Sequence, residues 1–210
     1  MTYSLCHGKI IMELFKGCVY MKIILASGSP RRRELMKYIT DDFEAVSLDA
    51  DETLPDNIEP LNASEYLALV KARAAAEIYP DNIVIGCDTA VICGNDILGK
   101  PSDKDDCIRC ITELSGKTHQ VVTGCAIIYH SSVISFSEVT DVAFRDLSND
   151  EITAYASTDE PYDKAGGYGI QGKASELIEN INGDFFNVVG LPVTRLFNEL
   201  KKFYNIIKEK

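Results

Sequence analysis

The sequence predicts an α/β fold, and three stretches of its 210 residues predict it. Residues 23–26 are a short apolar run followed by Ser27, Gly28 and Ser29 and then by Pro30, which suits the first position of a helix. This is a strand, a turn and a helix start, with Ser29 as the N-cap. Residues 83–87, IVIGC, read as a fully buried strand that delivers Asp88 and Thr89 at its end, where open α/β sheets place their chemistry. Two β-branched and aromatic runs, HQVVTGCAIIYH and VISFSEVTDVAF, read as an antiparallel hairpin about a Ser131-Ser132 turn.

Taken in order, the first helix carries a physical conflict. Arg31, Arg32 and Arg33 put three positive charges on an opening turn whose macrodipole is already positive. A bound polyanion would remove the conflict, because N–H groups, hydroxyls and guanidinium forks all suit phosphate oxygens. The plainer alternative is a solvated basic turn paired with nearby acids. The loop lacks the second glycine and the Gly-Lys-Ser/Thr ending of a Walker A motif. Residues 43–47 form a second strand, and the acidic, proline-punctuated LDADETLPDNIEP is a loop. Asn62 with Glu65 resembles an N-terminal capping pair. The helix it opens has Tyr66, Leu69, Val70, Ala74 and Ile78 at helical spacing, carries Lys71 and Arg73, and stops at Pro80.

Beyond Thr89 the chain stays extended through residue 93, turns at Gly94-Asn95 and closes back through Leu98-Gly99-Lys100-Pro101. A helix containing Cys107, Cys110, Ile111 and Leu114 runs to Gly116. After the hairpin comes a helix over 149–157, with Asn149 or Asp150 as cap. The segment EPYDKAGGYGIQGKA reads as an exposed loop whose backbone can approach a ligand closely. An amphipathic helix over 194–207 ends the pattern.

Composition narrows the function classes. A chain with 46% hydrophobic and 25% charged residues can bury one large core or two closely packed lobes. A net charge of −11 argues against a general nucleic-acid or anionic-membrane binder, since both partners reward a basic face. No apolar run approaches the roughly 20 residues that span a bilayer. Seven cysteines at irregular spacings, without a secretory signal, point to reduced thiols in a cytoplasmic protein. Cys107 and Cys110 form a CxxC whose spacing fits a helical core face better than redox or zinc chemistry. His7, His119 and His130 have no motif partners and read as structural or surface residues. Residues 1–20 are interrupted by Glu13 and Lys16, so they make no signal peptide. They read as an N-terminal extension before Met21, ahead of a single domain over 21–210.

Four segments together resemble the Maf family of nucleoside triphosphate pyrophosphatases. They are LASGSPRRREL, GCDTAVICGNDILGKP, LSGKTHQVVTG, and EPYDKAGGYGIQG through GDFFNVVGLP. The resemblance implies a two-lobed mixed-sheet fold shared with the inosine triphosphate pyrophosphatase group, with the active site in the central cleft. It also implies a cytoplasmic homodimer that uses a divalent cation, Mg²⁺ or Mn²⁺, and hydrolyses a nucleoside triphosphate to monophosphate and pyrophosphate. Family residues fall on Ser27, Arg31, Arg32, Glu52, Lys71, Asp88, Lys100 and Gln171, with Asp88 as proton acceptor.

Physical chemistry makes these roles sensible. Attack of water on an α-phosphorus needs cations around the triphosphate, as Arg31, Arg32, Lys71 and Lys100 would supply, and a carboxylate near the water. Glu52 and Asp88 are the carboxylates, and the sequence leaves open which holds metal and which orients water. Arg31, Thr89 and Gln171 match the branch acting on dTTP and UTP. A glutamine amide can accept from N3–H and donate to O4 of uracil or thymine, although a flipped amide would match cytosine. The alternative to an enzyme is a nucleotide-binding regulator of septum formation, which would need the phosphate clamp but not Asp88.

Overall fold

The computed structural model describes residues 21–208; the expectations for residues 1–20, His7 included, lie outside the described residues. Strands β1 (Ile23–Ala26), β2 (Phe43–Val46), β3 (Ile83–Cys93), β4 (Asp96–Leu98), β5 (Thr118–Tyr129), β6 (Ser132–Phe144) and β7 (Ile178–Asn182) form one mixed sheet. Its order is β2-β1-β3-β5-β6-β7, with β4 paired to β3. β1 runs parallel to both β2 and β3, and every other pairing is antiparallel.

Helices cover both faces. α1 (Pro30–Met36), α3 (Lys104–Leu114), α4 (Asn149–Ala156) and α6 (Val193–Lys208) bury Leu35, Ile111, Ile152, Leu196 and their neighbours in the larger core. Each large aliphatic side chain removed from water there contributes roughly 1.5–3 kcal/mol. α2 (Pro60–Ile78) covers the other face with small residues, Ala68, Ala72 and Ala75, against Ile24, Val84, Ala126 and Ile128. That face needs glycine beneath it. A Cβ on Gly86 would lie 2.2 Å from the Ala68 carbonyl oxygen, and one on Gly124 would lie 2.3 Å from the Ser64 and Glu65 backbone. The close approach brings Lys71 of α2 down onto β3.

The strand, turn and helix at the start form as the sequence predicts, with the Ser29 hydroxyl accepting from the Arg32 N–H. Several details differ. Asp88 does not end its strand, because β3 continues to Cys93. What ends is the parallel neighbour: β1 pairs with β3 only as far as Ala26 opposite Gly86, so Asp88 emerges just past that edge. α2 starts at Pro60, placing Asn62 inside its first turn, and Glu65 accepts from Ser135 and Ser137 instead of capping. The hairpin turns at His130-Ser131, since Tyr129 pairs with Ser132, and His130 takes φ 49° to make that two-residue turn. Ser148, not Asn149 or Asp150, caps α4 in a reciprocal box with Glu151.

The stretch expected to be an exposed loop is instead partly core. Three 3₁₀ turns, Pro161–Asp163, Ala165–Gly167 and Lys173–Leu177, bury Tyr168, Ile170, Ala174 and Leu177. Its turns are organised by Glu160, whose carboxylate accepts from the Lys173 and Ala174 N–H groups. β7 and the short α5 (Phe185–Val189) have too few residues to show a period in sequence.

Candidate active site

Where β1 gives way to Ser27, the sheet opens into a cleft of about 710 Å³. One wall is the loop into α1. The opposite wall is the 3₁₀ segment, and β3 with Lys71 of α2 forms the floor. Ser27, Arg31, Arg32, Glu52, Lys71, Asp88, Thr89, Lys100 and Gln171, separated by up to 144 positions in sequence, all line it. Five cations (Arg31, Arg32, Lys71, Lys100, Lys164) face four carboxylates (Glu52, Asp88, Glu160, Asp163), so the cleft is locally positive on a chain of net charge −11.

At the floor, Lys71 Nζ donates to Asp88 Oδ1 at 2.6 Å and lies 3.0 Å from Glu52 Oε2. The Lys71 and Asp88 side chains are only 18% and 15% exposed, whereas Glu52 is 52% exposed. The inner pair is therefore largely shielded from water, so breaking it would leave a poorly solvated charge; the outer one is easily exchanged for solvent or a ligand. Glu52 and Asp88 both reach Lys71 Nζ, and they are the carboxylates of the cleft floor that could share a divalent cation with phosphate and water. Among the described residues no cluster of three or more His, Cys, Asp or Glu could enclose a metal by itself.

Arg32 is held from three sides: Nε donates to the Gly190 carbonyl at 2.8 Å, Nη2 to Thr89 Oγ1 at 2.8 Å and Nη1 to Ser27 Oγ at 3.3 Å. Two of its five N–H groups remain for a ligand. Arg31 reaches across the cleft to Asp163 Oδ2 at 2.8 Å. Burial opposes ionisation of Asp163, but hydrogen bonds from Lys164 and Arg31 hold its carboxyl below the ordinary aspartate range. An incoming anion would compete with Asp163 for Arg31.

Asp163, Lys164 and Thr123 were not singled out from sequence. All three lie inside segments that carry the family resemblance, Asp163 and Lys164 in EPYDKAGGYGIQG and Thr123 in LSGKTHQVVTG, and those segments are their only signal. The other candidate centres prove structural. Cys107 and Cys110 are buried on α3, and burial pushes the Cys107 thiol up to about 11. Buried His119 bonds Tyr168 Oη through Nε2, and His130 sits in the hairpin turn.

A mixed sheet with a cation-lined cleft opening at the end of a parallel strand, and a lysine-held carboxylate on its floor, defines an α/β ligand-binding protein of the anion-handling kind. The family model described as Maf-like protein matches residues 22–203, and the chain belongs to that family. A Bacillus cereus protein named dTTP/UTP pyrophosphatase is 50% identical over 182 residues, 87% of this chain and 95% of its own. A Bacillus anthracis protein of the same name is 49% identical over the same shares. Among solved structures, the Staphylococcus aureus Ham1 protein covers 90% of this chain and 100% of its own at TM-score 0.50 and 16% identity, a likeness of fold.

Proposed function

We propose that this chain hydrolyses dTTP and UTP between the α and β phosphates, releasing the nucleoside monophosphate and pyrophosphate. The observation that carries the reading is the shielded Asp88 carboxylate, oriented by Lys71 on the floor of a cleft that Arg31, Arg32, Lys100 and Lys164 also line. The names of the close relatives support the same substrates.

In this reading Arg31, Arg32, Lys100 and Lys164 grip the triphosphate and neutralise the charge that grows on the departing pyrophosphate. Asp88 Oδ2, the oxygen not engaged by Lys71, takes the proton of the attacking water, and Lys71 fixes the carboxylate's direction. Glu52 and Asp88 would hold Mg²⁺ or Mn²⁺, which when bound neutralises phosphate charge. Gln171, on the cleft wall, reads the base edge. The protein works as a cytoplasmic homodimer, and its domain spans residues 21–210 with residues 1–20 outside it. Sedimentation and a variant starting at Met21 test those two points.

The deciding experiment is a nucleotide panel with Mg²⁺ or Mn²⁺ and products resolved as mono- or diphosphate. Asp88→Asn should lower turnover by about 10²–10⁴-fold while the protein stays folded and nucleotide still binds. Near-wild-type turnover in folded Asp88→Asn would defeat the assignment.

A further inference from the structure

Thr123 on β5 is fully buried and sits opposite Thr89 in the β3–β5 register, with the two hydroxyl oxygens 2.9 Å apart. On its other side Thr123 Oγ1 lies 3.0 Å from the backbone carbonyl of Asn187. Asn187 is itself fully buried and anchored by its amide to the Val121 carbonyl and Thr140 Oγ1. At the cleft end, Arg32 Nη2 approaches Thr89 Oγ1 at 2.8 Å.

The two ends of this chain of bonds fix its direction. A guanidinium can only donate, a carbonyl can only accept, and each threonine hydroxyl has one proton. The Thr123 proton goes to the Asn187 carbonyl, because two oxygens at 3.0 Å without a proton between them would repel. Thr123 then has none to offer Thr89, so the Thr89 proton points at Thr123. One Thr89 lone pair is filled by Arg32. What Thr89 has left is one lone pair and no proton.

We propose that Thr123 is a positioning residue that presents Thr89 to the cleft as a hydrogen-bond acceptor only. An acceptor-only hydroxyl is unsuited to a phosphate oxygen and, toward a nucleotide, suits an N–H or O–H donor. The inference rests on the pyrimidine nucleotide reading above, and in that reading the donor is N3–H of uracil or thymine. N3 of cytosine carries a lone pair and is refused. This supplies what Gln171 lacks: an amide that can turn over reads either base edge, whereas a hydroxyl held at both ends reads one.

The test has a structural arm and a kinetic arm. In the nucleotide-free wild-type protein, NMR should find both hydroxyl protons slow to exchange, with the Thr89 proton directed at Thr123. In the isosteric Thr123→Val variant the Thr89 proton should exchange fast. Kinetically, the ratio of kcat/KM for UTP over CTP should fall on the order of tenfold in Thr123→Val. It should recover in Thr123→Ser and show no further fall when Thr123→Val is added to Thr89→Val. 3-Methyl-UTP, which has no N3 proton, should be a poor wild-type substrate. The proposal is overturned by a rapidly exchanging Thr89 hydroxyl in the wild type, by Thr123→Val slowing every nucleotide equally, or by 3-methyl-UTP turning over like UTP. A wild-type enzyme inert to dTTP and UTP would instead sink the activity reading, and the hydroxyl exchange would still decide the polarity of Thr89.

Discussion

Arg31 and Arg32 are neighbours with opposite structural roles. Arg31 crosses the cleft to an exposed carboxylate, and an ion pair of that kind contributes little to stability. Arg31→Ala should leave the unfolding free energy within about 0.5 kcal/mol of wild type while weakening nucleotide binding. Arg32 holds Gly190, Thr89 and Ser27 together, so Arg32→Ala should cost about 1–3 kcal/mol in urea unfolding as well as binding. The helix-dipole repulsion read from the sequence is real for both, but at Arg32 three hydrogen bonds outweigh the roughly 0.3–1 kcal/mol it is worth. Equal effects of the two substitutions on stability would contradict this division. Gln171 lines the cleft and makes no side-chain hydrogen bond to another described residue that would confuse its test. Gln171→Ala should lower kcat/KM for dTTP and UTP together by about 1–3 kcal/mol and flatten selectivity, as a nucleotide panel would report.

Two elements carry pH signatures of opposite origin. At the start of α4, Arg145 and the Ser148 backbone and hydroxyl bond the Glu151 carboxylate and pull it down from 4.5 to about 2. Its stabilisation is therefore fully present above the unfolded value near 4.5 and is lost as pH falls through about 2. Glu151→Gln should be less stable than wild type at pH 6, and the gap should close toward pH 2 in chemical unfolding. On β5, burial drops His119 from 6.5 to about 4, so the folded state resists a proton that the unfolded chain accepts. Stability should be full above pH 6.5 and should fall by up to about 1.4 kcal/mol per pH unit between 6.5 and 4. His119→Gln should flatten that part of the profile; an unchanged slope would mean that other groups titrate there.

Across the whole molecule, the five described cysteines are buried and free of disulfides. Cys87 and Cys125 face each other with their sulfurs 3.6 Å apart, and burial holds the Cys125 thiol well above its ordinary value. Iodoacetamide at neutral pH should label peptides carrying these five positions only at the rate of unfolding, as mass spectrometry would show, and not at the rate of a free thiol. Rapid labelling at Cys107 or Cys110 would reopen the redox reading of the CxxC. The large core and the small-residue core sit on opposite faces of one sheet, and the cleft lies where that sheet loses a neighbour. Folding and site assembly are therefore one event: α2 must settle on Gly86 and Gly124 before Lys71 can meet Asp88.

Local chemistry along the chain already specified much of this. The Ser-Gly-Ser-Pro turn, the apolar period of α3 and the β-branched runs of β5 and β6 depend on neighbours a few residues away, and these signals survive in one dimension; on α2 the expected stripe fails, since Tyr66 and Ile78 are exposed and Ala68, Ala72 and Ala75 face the sheet. The candidate residues were legible by a different route, the resemblance of four separated segments to the Maf family, which named them before any of them could be placed. Tertiary packing alone decided the rest. Glu65 and Asn62 had capping chemistry, but the helix starts at Pro60 and its packing on β6 puts Glu65 against Ser135 and Ser137. Tyr168 and Ile170 lie in a glycine-rich segment that looks exposed until the core closes over it. The direction of the Thr89 hydroxyl depends on Arg32, Thr123 and Asn187, which lie 57, 34 and 98 positions away in sequence. A hydrogen bond's polarity is a property of both its ends, and here the ends meet only when the sheet has formed.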